Sequence, residues 1–531
     1  MLIDTGEYIK KMSLDEKAGQ LMLVTVPEKE IDKEWEEHLR KNIFAGVLFT
    51  RENLDNEVQT RDLIDSVQSI YEQIGTGMPS LISIQQEGGV ADSLLFGKVV
   101  SPGNMAIGAT RNSEFAYEAA RLSAEELKSY GFNLVLAPVL DINSTPFNPA
   151  IGARSFSENE DLVIQMGIKA VRGYQENGLA CCGKHFPGIG AITQDPEQML
   201  PTLMHSERRF MKEIKPFEST IKQARLEAVM TGHVSYPIVV RDGKPATLSG
   251  SLIGFNLRNQ MSFRGLTISD FICKGAITEN HKVEEAVLLA VKAGVDIVLF
   301  GPDKDIQEKA HKALKDAIQS GVFSEDRLET SLQRIVRQKH RRNQMRYPMR
   351  ENPAHMISKI ARASVTLIKN DEALLPLRLD EEDYIGVIQP EFPHLDMPTF
   401  GEMLTSKYPW VDEFQYDMKD FEIDMEELKE RMSDCEVIVF GTYHNGLIPD
   451  HQVEWIKALK ELDKPIIGLA MNNPYHLIQY NDYVRASILT YGSSHYSLEA
   501  AADILLGKLS PRGQLPITLP DICEYGYSLT F

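Results

Sequence analysis

Short apolar runs alternate with longer amphipathic stretches over roughly the first 300 residues, and this alternation constrains the fold more than any other feature of the chain. The runs are continuously apolar, which is typical of parallel strands that are covered on both faces. They lie at 19–26, 45–50, 79–86, 134–142, 179–186, 228–234, 265–271 and 293–301. Helical periodicity is seen at 114–130, 162–177 and 283–293. Eight strands with intervening helices predict an α/β fold of the (β/α)8 barrel type, although a doubly wound sheet has the same periodicity.

The alternation resumes after residue 352 in a shorter second half of the chain. Strand-like runs lie at 384–389, 436–443, 465–471 and 486–491, and helical stretches lie at 453–462 and 498–506. Four or five strands in this length predict a smaller α/β sandwich. We therefore predict two domains, a TIM-type barrel over residues 1–345 and a C-terminal α/β sandwich over residues 346–531.

A basic stretch separates the two predicted domains. Residues 334–350 contain seven lysines and arginines and one proline. A nucleic-acid patch and a charged helix end that leads into a linker both fit this composition. The formal net charge of the chain is −20, which favours the linker and argues against a general binder of nucleic acid or of anionic membranes.

Composition also bears on the compartment of the protein. The hydrophobic fraction of 43% and the charged fraction of 25% are ordinary for a globular chain. Five cysteines, an odd number, do not suggest a disulfide framework and fit a reducing compartment. No signal-peptide pattern begins the sequence, and no apolar run approaches the ~20 residues of a membrane span. We expect a cytoplasmic protein without a membrane partner; the sequence carries no signal for its oligomeric state.

Polar residues stand where several of the barrel runs end. These strand ends read Gln85-Gln86-Glu87, Asp141-Ile142-Asn143, Lys184-His185, His233 and Ser269-Asp270. Barrel enzymes carry their active sites at the carboxyl ends of the strands, so we predict a functional pocket at this rim. The sequence has neither HExxH nor CxxC spacing, and we predict no metal site and no cofactor.

The motifs at these strand ends resemble those of glycoside hydrolase family 3, in its β-N-acetylglucosaminidase branch. The matching barrel segments are QQEGG (85–89), SPGNMAIGAT (101–110), LAPVLDIN (136–143), NPAIGARSF (148–156), GKHFPGIG (183–190), VMTGHVSYP (229–237) and ISDF (268–271). In the second half the matching segments are ASVTLIKNDEALLPL (363–377), NNPY (472–475) and SPRGQLPITLP (510–520). The resemblance covers nearly the whole chain.

The resemblance implies a retaining glycoside hydrolase that acts on a small saccharide or glycoconjugate with a terminal β-linked sugar, such as an N-acetylhexosamine. Retaining enzymes need a carboxylate nucleophile and a second group that acts first as an acid and then as a base. Asp270 matches the nucleophile of the family. Its role would be to attack the anomeric carbon and form a covalent glycosyl-enzyme.

The resemblance also implies a sugar-binding cluster. Arg154, Lys184 and His185 match the sugar-binding residues of the family, and their donors suit hydroxyl and acetamido groups. His233 and Asp141 match residues that line or support the same pocket. For Asp141, a role as a buried hydrogen-bonded support is equally compatible with the sequence.

The chain departs from the pattern of the branch at several positions. The mobile loop of the branch reads K-H-F-P-G-H-G-x-x-x-x-D-S-H, and its Asp-His pair serves as the acid/base. Here the loop reads KHFPGIGAITQDPE, so Ile189 replaces the first histidine, Glu197 replaces the catalytic one, and Asp195 is retained. The branch also has D-Q-E-G-G-R-V-x-R, whose first Asp and last Arg hold the sugar; here these positions are Gln85 and Ser93.

Three hypotheses follow for the acid/base. In the first, Glu197 takes this role, Asp195 favours its protonated form by like-charge repulsion, and the changes at 85 and 93 indicate a different sugar. In the second, hydrolysis is lost and the protein binds a glycan or a partner. In the third, the second domain supplies the acid/base, for which His444 and Glu454 are candidates.

Overall fold

Eight parallel strands close into a barrel, in the order β1 to β8, with β8 pairing β1. The computed structural model describes residues 5–75, 77–341, 346, 348–392, 397–418 and 423–531. The barrel strands are β1 Met22–Thr25, β2 Gly46–Phe49, β3 Leu81–Ile84, β4 Leu134–Val135, β5 Ala180–Phe186, β6 Ala228–Thr231, β7 Leu266–Phe271 and β8 Ile297–Phe300. The closed sheet confirms the predicted barrel and excludes the doubly wound alternative.

Helices surround the barrel and connect its strands. They are α1 Thr5–Lys11, α2 Leu14–Gly19, α3 Lys33–Asn42, α4 Glu57–Ile74, α5 Asn104–Ala109, α6 Ser113–Tyr130, α7 Glu160–Glu176, α8 Glu207–Ala224, α9 Gly275–Thr278, α10 Val283–Ala293, α11 Lys304–Gln319 and α12 Glu325–Arg341. A π-helix spans Ser251–Gln260, and a 3-10 turn spans Gly152–Arg154. The side chains of Asn112 and Asn159 cap the N-termini of α6 and α7, so α6 begins one residue and α7 two residues before the predicted start.

β4 is much shorter than the apolar run 134–142 from which it was predicted. Pro138 lies within this run and has no N–H to donate to a ladder. The chain nevertheless stays beside β5, because Lys184 donates its N–H to Pro138 O at 3.1 Å and Leu140 donates to Lys184 O at 2.7 Å. This irregular pairing carries Asp141 to the same rim as the end of β5.

The second domain is built on a six-stranded sheet in the order β11-β10-β12-β13-β14-β9, in which only the β14–β9 pair is antiparallel. Its strands are β9 Thr366–Asn370, β10 Tyr384–Pro390, β11 Val411–Tyr416, β12 Cys435–Thr442, β13 Ile466–Ala470 and β14 Ala486–Leu489. Its helices are α13 Ala354–Ser364, α14 Phe400–Thr405, α15 Met425–Ser433, α16 Asp450–Leu459, α17 Leu477–Tyr480 and α18 His495–Leu505. Residues of α15, α16 and α17 pack on one face and those of α14 and α18 on the other, which confirms the predicted sandwich.

The two domains share part of one hydrophobic core. Met105 and Ala153, from loops at the carboxyl end of the barrel, pack among residues of the second domain such as Leu515. The carboxylate of Glu158 accepts both the N–H and the hydroxyl of Thr518 at 2.7 Å. The second domain therefore lies against the rim at which the functional pocket is predicted.

The predicted boundary between residues 345 and 346 falls at the edge of residues 342–345, which lie outside the described part of the chain. The last barrel helix, α12, ends before it and α13 begins after it. Among the described residues, no helix combines the length and the apolar composition that a membrane crossing requires.

Candidate active site

Asp270 lies at the carboxyl end of β7 and is 6% exposed. Its Oδ1 accepts the N–H of Phe271 at 2.7 Å, and its Oδ2 accepts Lys274 Nζ at 2.9 Å. Burial alone would raise the pKa of Asp270, but the ammonium of Lys274, which donates a hydrogen bond to it, holds this pKa well below its usual range. Asp270 is therefore a buried carboxylate at neutral pH, held by an ammonium group.

A second buried carboxylate, Glu87, binds two of the predicted sugar-binding residues. Arg154 donates Nε and Nη2 to the two oxygens of Glu87 at 2.8 and 2.7 Å, and Lys184 Nζ lies 2.5 Å from Oε1. Burial opposes ionisation of Glu87, yet Arg154 and Lys184 lower its pKa to about 2. One carboxylate thus orients two cations, and the cluster carries a net positive charge beside Asp270.

His185 is fixed by Asp141, which is fully buried. The Oδ2 of Asp141 accepts both the backbone N–H of His185 at 3.1 Å and its Nδ1–H at 2.8 Å, and Oδ1 accepts the N–H of Ile189 at 2.8 Å. This pairing selects the tautomer in which Nε2 of His185 is an acceptor when the ring is neutral. Burial lowers the pKa of His185, despite the opposing effect of Asp141, so the ring is neutral at neutral pH.

His233 follows β6 and supports the end of the neighbouring strand. Its Nε2 donates to the carbonyl of Phe271 at 2.9 Å, and its Nδ1 lies 2.8 Å from the hydroxyl of Thr247. A carbonyl can only accept, so the proton is on Nε2 and the hydroxyl donates to Nδ1. Burial lowers the pKa of His233 to about 4. The neutral ring therefore holds the main chain of Phe271, the residue that follows Asp270, through this hydrogen bond.

Glu197 lies on the loop after β5 and reaches Asp270 through Lys274. The ammonium of Lys274 is 2.8 Å from Glu197 Oε1 and 2.9 Å from Asp270 Oδ2, so these two oxygens are at most 5.7 Å apart. Glu197 is exposed on its other side, with 62% of its side chain accessible, whereas 15% of Lys274 is accessible. Asp195 accepts the N–H of Glu197 at 2.9 Å, which closes a local turn and directs its carboxylate to its own loop.

The loop that carries Glu197 is docked on the start of α9. The N–H of Gly275 donates to Glu197 O at 2.9 Å, and that of Ala276 donates to Pro196 O at 3.1 Å. A Cβ at position 275 would lie 2.2 Å from Gln198 O, which is too close for any side chain. Glycine at this position therefore permits the close approach that brings Glu197 to Lys274.

The two altered positions that follow β3, Gln85 and Ser93, contact each other. Ser93 donates its hydroxyl to Gln85 O at 2.7 Å and its N–H to Gln86 Oε1 at 2.8 Å. The Gln85 side chain points toward Glu87, with Nε2 3.4 Å from Oε1. Ser93 thus closes its own loop, and of the two positions only Gln85 extends toward the cationic cluster.

Loops of the second domain lie over the turn that carries Arg154. A Cβ on Gly152 would lie 3.3 Å from Asn445 O and 3.5 Å from the side chain of Asn473. His444 precedes Asn445 on this loop and is exposed, with its Nδ1 accepting the N–H of Gly446 at 3.2 Å. Glu454 instead pairs with Lys457 on an exposed part of α16.

The structure thus brings most of the predicted residues to one rim of the barrel. Two further residues were not singled out as site residues by the sequence analysis: Glu87 and Lys274. Glu87 stands at a strand end within QQEGG, which is a usable signal. Lys274 carries no comparable signal, because its position depends on the turn after β7 and on the docked loop.

Family models match both domains. The N-terminal domain of glycosyl hydrolase family 3 matches residues 13–338, and the C-terminal domain of that family matches residues 365–527. In the solved structures, a family 3 β-N-acetylglucosaminidase from Paenibacillus sp. str. FPU-7 superposes with a TM-score of 0.90 at 31% identity, covering 96% of this chain and 99% of that one.

Sequence relatives point in the same direction. Beta-hexosaminidase A of Pseudoalteromonas piscicida is 31% identical over 381 residues, which are 66% of this chain but 63% of that relative. The chain therefore spans less than two thirds of that protein. A beta-N-acetylglucosaminidase/beta-glucosidase of Cellulomonas fimi is 26% identical over 96% of this chain and 94% of its own length. With both domains matched in order along almost the whole chain, this protein belongs to glycoside hydrolase family 3.

Proposed function

We propose that the protein is a retaining glycoside hydrolase that releases a terminal β-linked sugar, and that this sugar is an N-acetylhexosamine or a close variant of one. In this proposal Asp270 is the nucleophile and Glu197 is the acid/base. The observation that carries this proposal is the shared contact of both carboxylates with Lys274, which limits the distance between the bound oxygens to 5.7 Å. Retaining glycosidases hold their two carboxyl groups about 5–5.5 Å apart, whereas inverting enzymes leave room for a water molecule at about 6.5–9.5 Å.

In the proposed reaction, Asp270 acts as the nucleophile and Glu197 acts first as the acid and then as the base. Asp270 attacks the anomeric carbon, and the bond from that carbon to the leaving oxygen breaks as the oxygen takes the proton of Glu197. Glu197 then removes a proton from water, the water oxygen attacks the anomeric carbon, and Asp270 is released as a carboxylate. The sugar lies between the carboxylates during these steps, so its entry displaces Lys274 from Glu197.

The cationic cluster supplies the contacts that orient the sugar. Glu87 holds Arg154 and Lys184 in a fixed arrangement, and 19% of the Arg154 side chain stays accessible for hydrogen bonds. Such donors suit the hydroxyls and the acetamido oxygen of an amino sugar. Gln85 adds an amide at the same cluster, where the related branch has an aspartate, and we infer that it changes which sugar hydroxyl is bound.

A panel of aryl β-glycosides tests the proposed activity. The wild-type protein, Asp270→Ala and the matched control Asp305→Ala, which removes an exposed carboxylate from α11, are assayed from pH 4 to pH 9. We expect turnover by the wild type and the control, with an aryl N-acetylhexosaminide as the best substrate, and none by Asp270→Ala. Glycan binding without turnover at any pH would show instead that the chain is a binding protein.

Lys274→Met should change the pH dependence of the reaction. Lys274 favours the charged form of Asp270, so its removal raises the pKa of that carboxyl. The acidic limb of kcat/KM, which reports ionisation of the nucleophile in the free enzyme, then moves to higher pH. Lys292→Met, a change of an exposed lysine on α10, should leave the profile unchanged. An unshifted acidic limb in Lys274→Met would contradict the electrostatic role of Lys274.

Gly275→Ala should undock the loop that carries Glu197. Its Cβ would lie 2.2 Å from Gln198 O, so the loop must move away from α9. A misplacement of about 1 Å in a catalytic group can lower a rate by about 100-fold, and we expect a loss of that order in kcat. Hydrogen exchange at the amides of residues 275 and 276 should accelerate. Gly254→Ala, whose Cβ meets open space, is the control, and unchanged exchange in Gly275→Ala would exclude the effect.

A further inference from the structure

Five arginines line a cavity of about 300 Å³ at the opposite end of the barrel from Asp270. We call it the arginine cavity; its arginines are Arg225, Arg264, Arg334, Arg337 and Arg341. Arg264 precedes β7, whereas Asp270 lies near the end of that strand. Six residues of extended chain, at about 3.3 Å each, separate the two by about 20 Å. The arginine cavity is therefore separate from the candidate active site.

Three segments of the chain converge on this cavity. Arg334, Arg337 and Arg341 are three and four residues apart on α12, so helical geometry places them on one face. Arg225 caps the C-terminus of α8 just before β6, and Arg264 lies just before β7. The first part of the basic stretch, residues 334–341, thus supplies a helix face, which two loops complete.

The positive charge of the cavity is only partly neutralised. Arg334 Nη1 lies 3.1 Å from Asp296 and Arg341 Nη1 lies 3.4 Å from Glu227. Arg337 donates a hydrogen bond to the amide oxygen of Gln333 at 3.4 Å. In the described ranges, no carboxylate lies within ion-pair distance of Arg225, Arg264 or Arg337. Among the described residues that line the cavity, Glu227 is the one acidic residue, so these residues together carry four net positive charges.

Residues behind the cavity do not remove this excess. Asp296 is shared by Arg258, Arg327 and Arg334. Burial, together with repulsion from Arg334 and Arg327, lowers the pKa of Arg258 to about 10 in spite of Asp296. The C-terminus of α8 contributes about half a negative charge, which is small against the excess. A positive concavity of this kind is unexpected in a chain whose net charge is −20.

We propose that the arginine cavity binds a compact polyanion that carries two or more phosphate groups. Guanidinium groups bind phosphate oxygens in a bidentate manner. Three guanidinium groups without a carboxylate partner carry more positive charge than one monoanion can neutralise, so a ligand with several negative charges fits better. The volume fits the lower range of small-molecule sites. A nucleic-acid strand fits less well, because outside the cavity it would meet the acidic surface of the protein. This proposal does not depend on the proposed hydrolysis.

Calorimetric titration with inorganic pyrophosphate tests the site on the full chain. The variant Arg225→Gln/Arg264→Gln removes two unpaired arginines, and Arg378→Gln/Arg512→Gln removes two exposed arginines of the second domain as a charge-matched control. At 150 mM salt we expect the wild type and the control to bind one pyrophosphate with equal affinity. The cavity variant should bind at least tenfold more weakly and should lose the rise in Tm that pyrophosphate produces in the wild type.

Several outcomes would overturn the proposal. They are an absence of pyrophosphate binding by the wild type, an equal loss of affinity in the control, or tighter binding of a single-stranded oligonucleotide than of pyrophosphate, which would indicate a nucleic-acid surface. If the double variant does not fold, Arg337→Gln replaces it, because this helix position is exposed and donates a hydrogen bond to Gln333. An unchanged affinity in that folded variant would likewise exclude the cavity as the binding site.

Discussion

Asp270→Asn should lower kcat by about 10⁴-fold or more, since the loss of a nucleophile removes the covalent route and leaves only binding and charge effects. Asparagine has the shape of aspartate and can still accept the N–H of Phe271, so we expect the fold to remain intact. The amide nitrogen then takes the place of Oδ2 and cannot accept from Lys274, so the hydrogen bond from Lys274 is lost. Activity on an aryl N-acetylhexosaminide and Tm are the two measurements, and a variant that keeps its Tm while losing activity isolates the chemical role.

The covalent intermediate gives a second measurement of the same prediction. Wild-type protein that is quenched in acid during turnover should gain the mass of one glycosyl residue, on a peptide that contains Asp270. Asp270→Asn should show no such adduct under the same conditions. An adduct on another carboxylate, or turnover by the variant within tenfold of the wild type, would assign the nucleophile elsewhere.

Glu197→Gln should produce the second largest effect, and the effect should depend on the leaving group. General acid catalysis contributes about 10²–10⁴-fold, so hydrolysis of a substrate with a poorly acidic leaving group should fall by that amount. A nitrophenyl leaving group needs little protonation, so its release should fall much less. The dependence of kcat on leaving-group pKa should therefore become steeper. Glu279→Gln, an exposed carboxylate at the end of α9, is the control.

The same experiment discriminates between the loop and the second domain as the source of the acid/base. His444 lies on a loop of the second domain that contacts the turn of Arg154, whereas Glu454 pairs with Lys457 on an exposed helix face. If Glu197→Gln has the wild-type dependence on the leaving group and His444→Ala shows the steeper one, the second domain supplies the proton. A wild-type dependence on the leaving group in both variants would exclude Glu197 and His444 as the acid/base.

The barrel and its polar rim could be predicted because both leave local patterns in the sequence. A strand that is covered on both faces is a continuous apolar run, and the residue after each run marks the rim. Two strands of the second domain, β9 and β11, are not among the predicted strands, because their sequence patterns are weaker. β11 is an edge strand of mixed apolar and polar residues, Val411–Tyr416, most of them partly exposed. β9 follows directly on α13, without a turn signal between Ser364 and Thr366.

Most pairs of charges in the site could not be predicted, because they join residues from different strand ends. Glu87 and Arg154 are 67 positions apart, and their bidentate contact depends on the path of two loops. Lys274 is close to Asp270 in sequence, yet its contact with Glu197 exists only because Gly275 lets another loop approach. Local spacing indicates which groups are at the rim, and the folded loops determine which of them meet.

The loop after β5 is anchored to the barrel through its main chain rather than through a side chain. Asp141 binds the main-chain amide of residue 189, a group that every amino acid except proline possesses. This anchor is therefore independent of the side chain at position 189, although Ile189 itself packs in the core and is 4% exposed. A substitution at position 189 would therefore leave this main-chain anchor in place, whereas the core packing of the side chain would have to adapt.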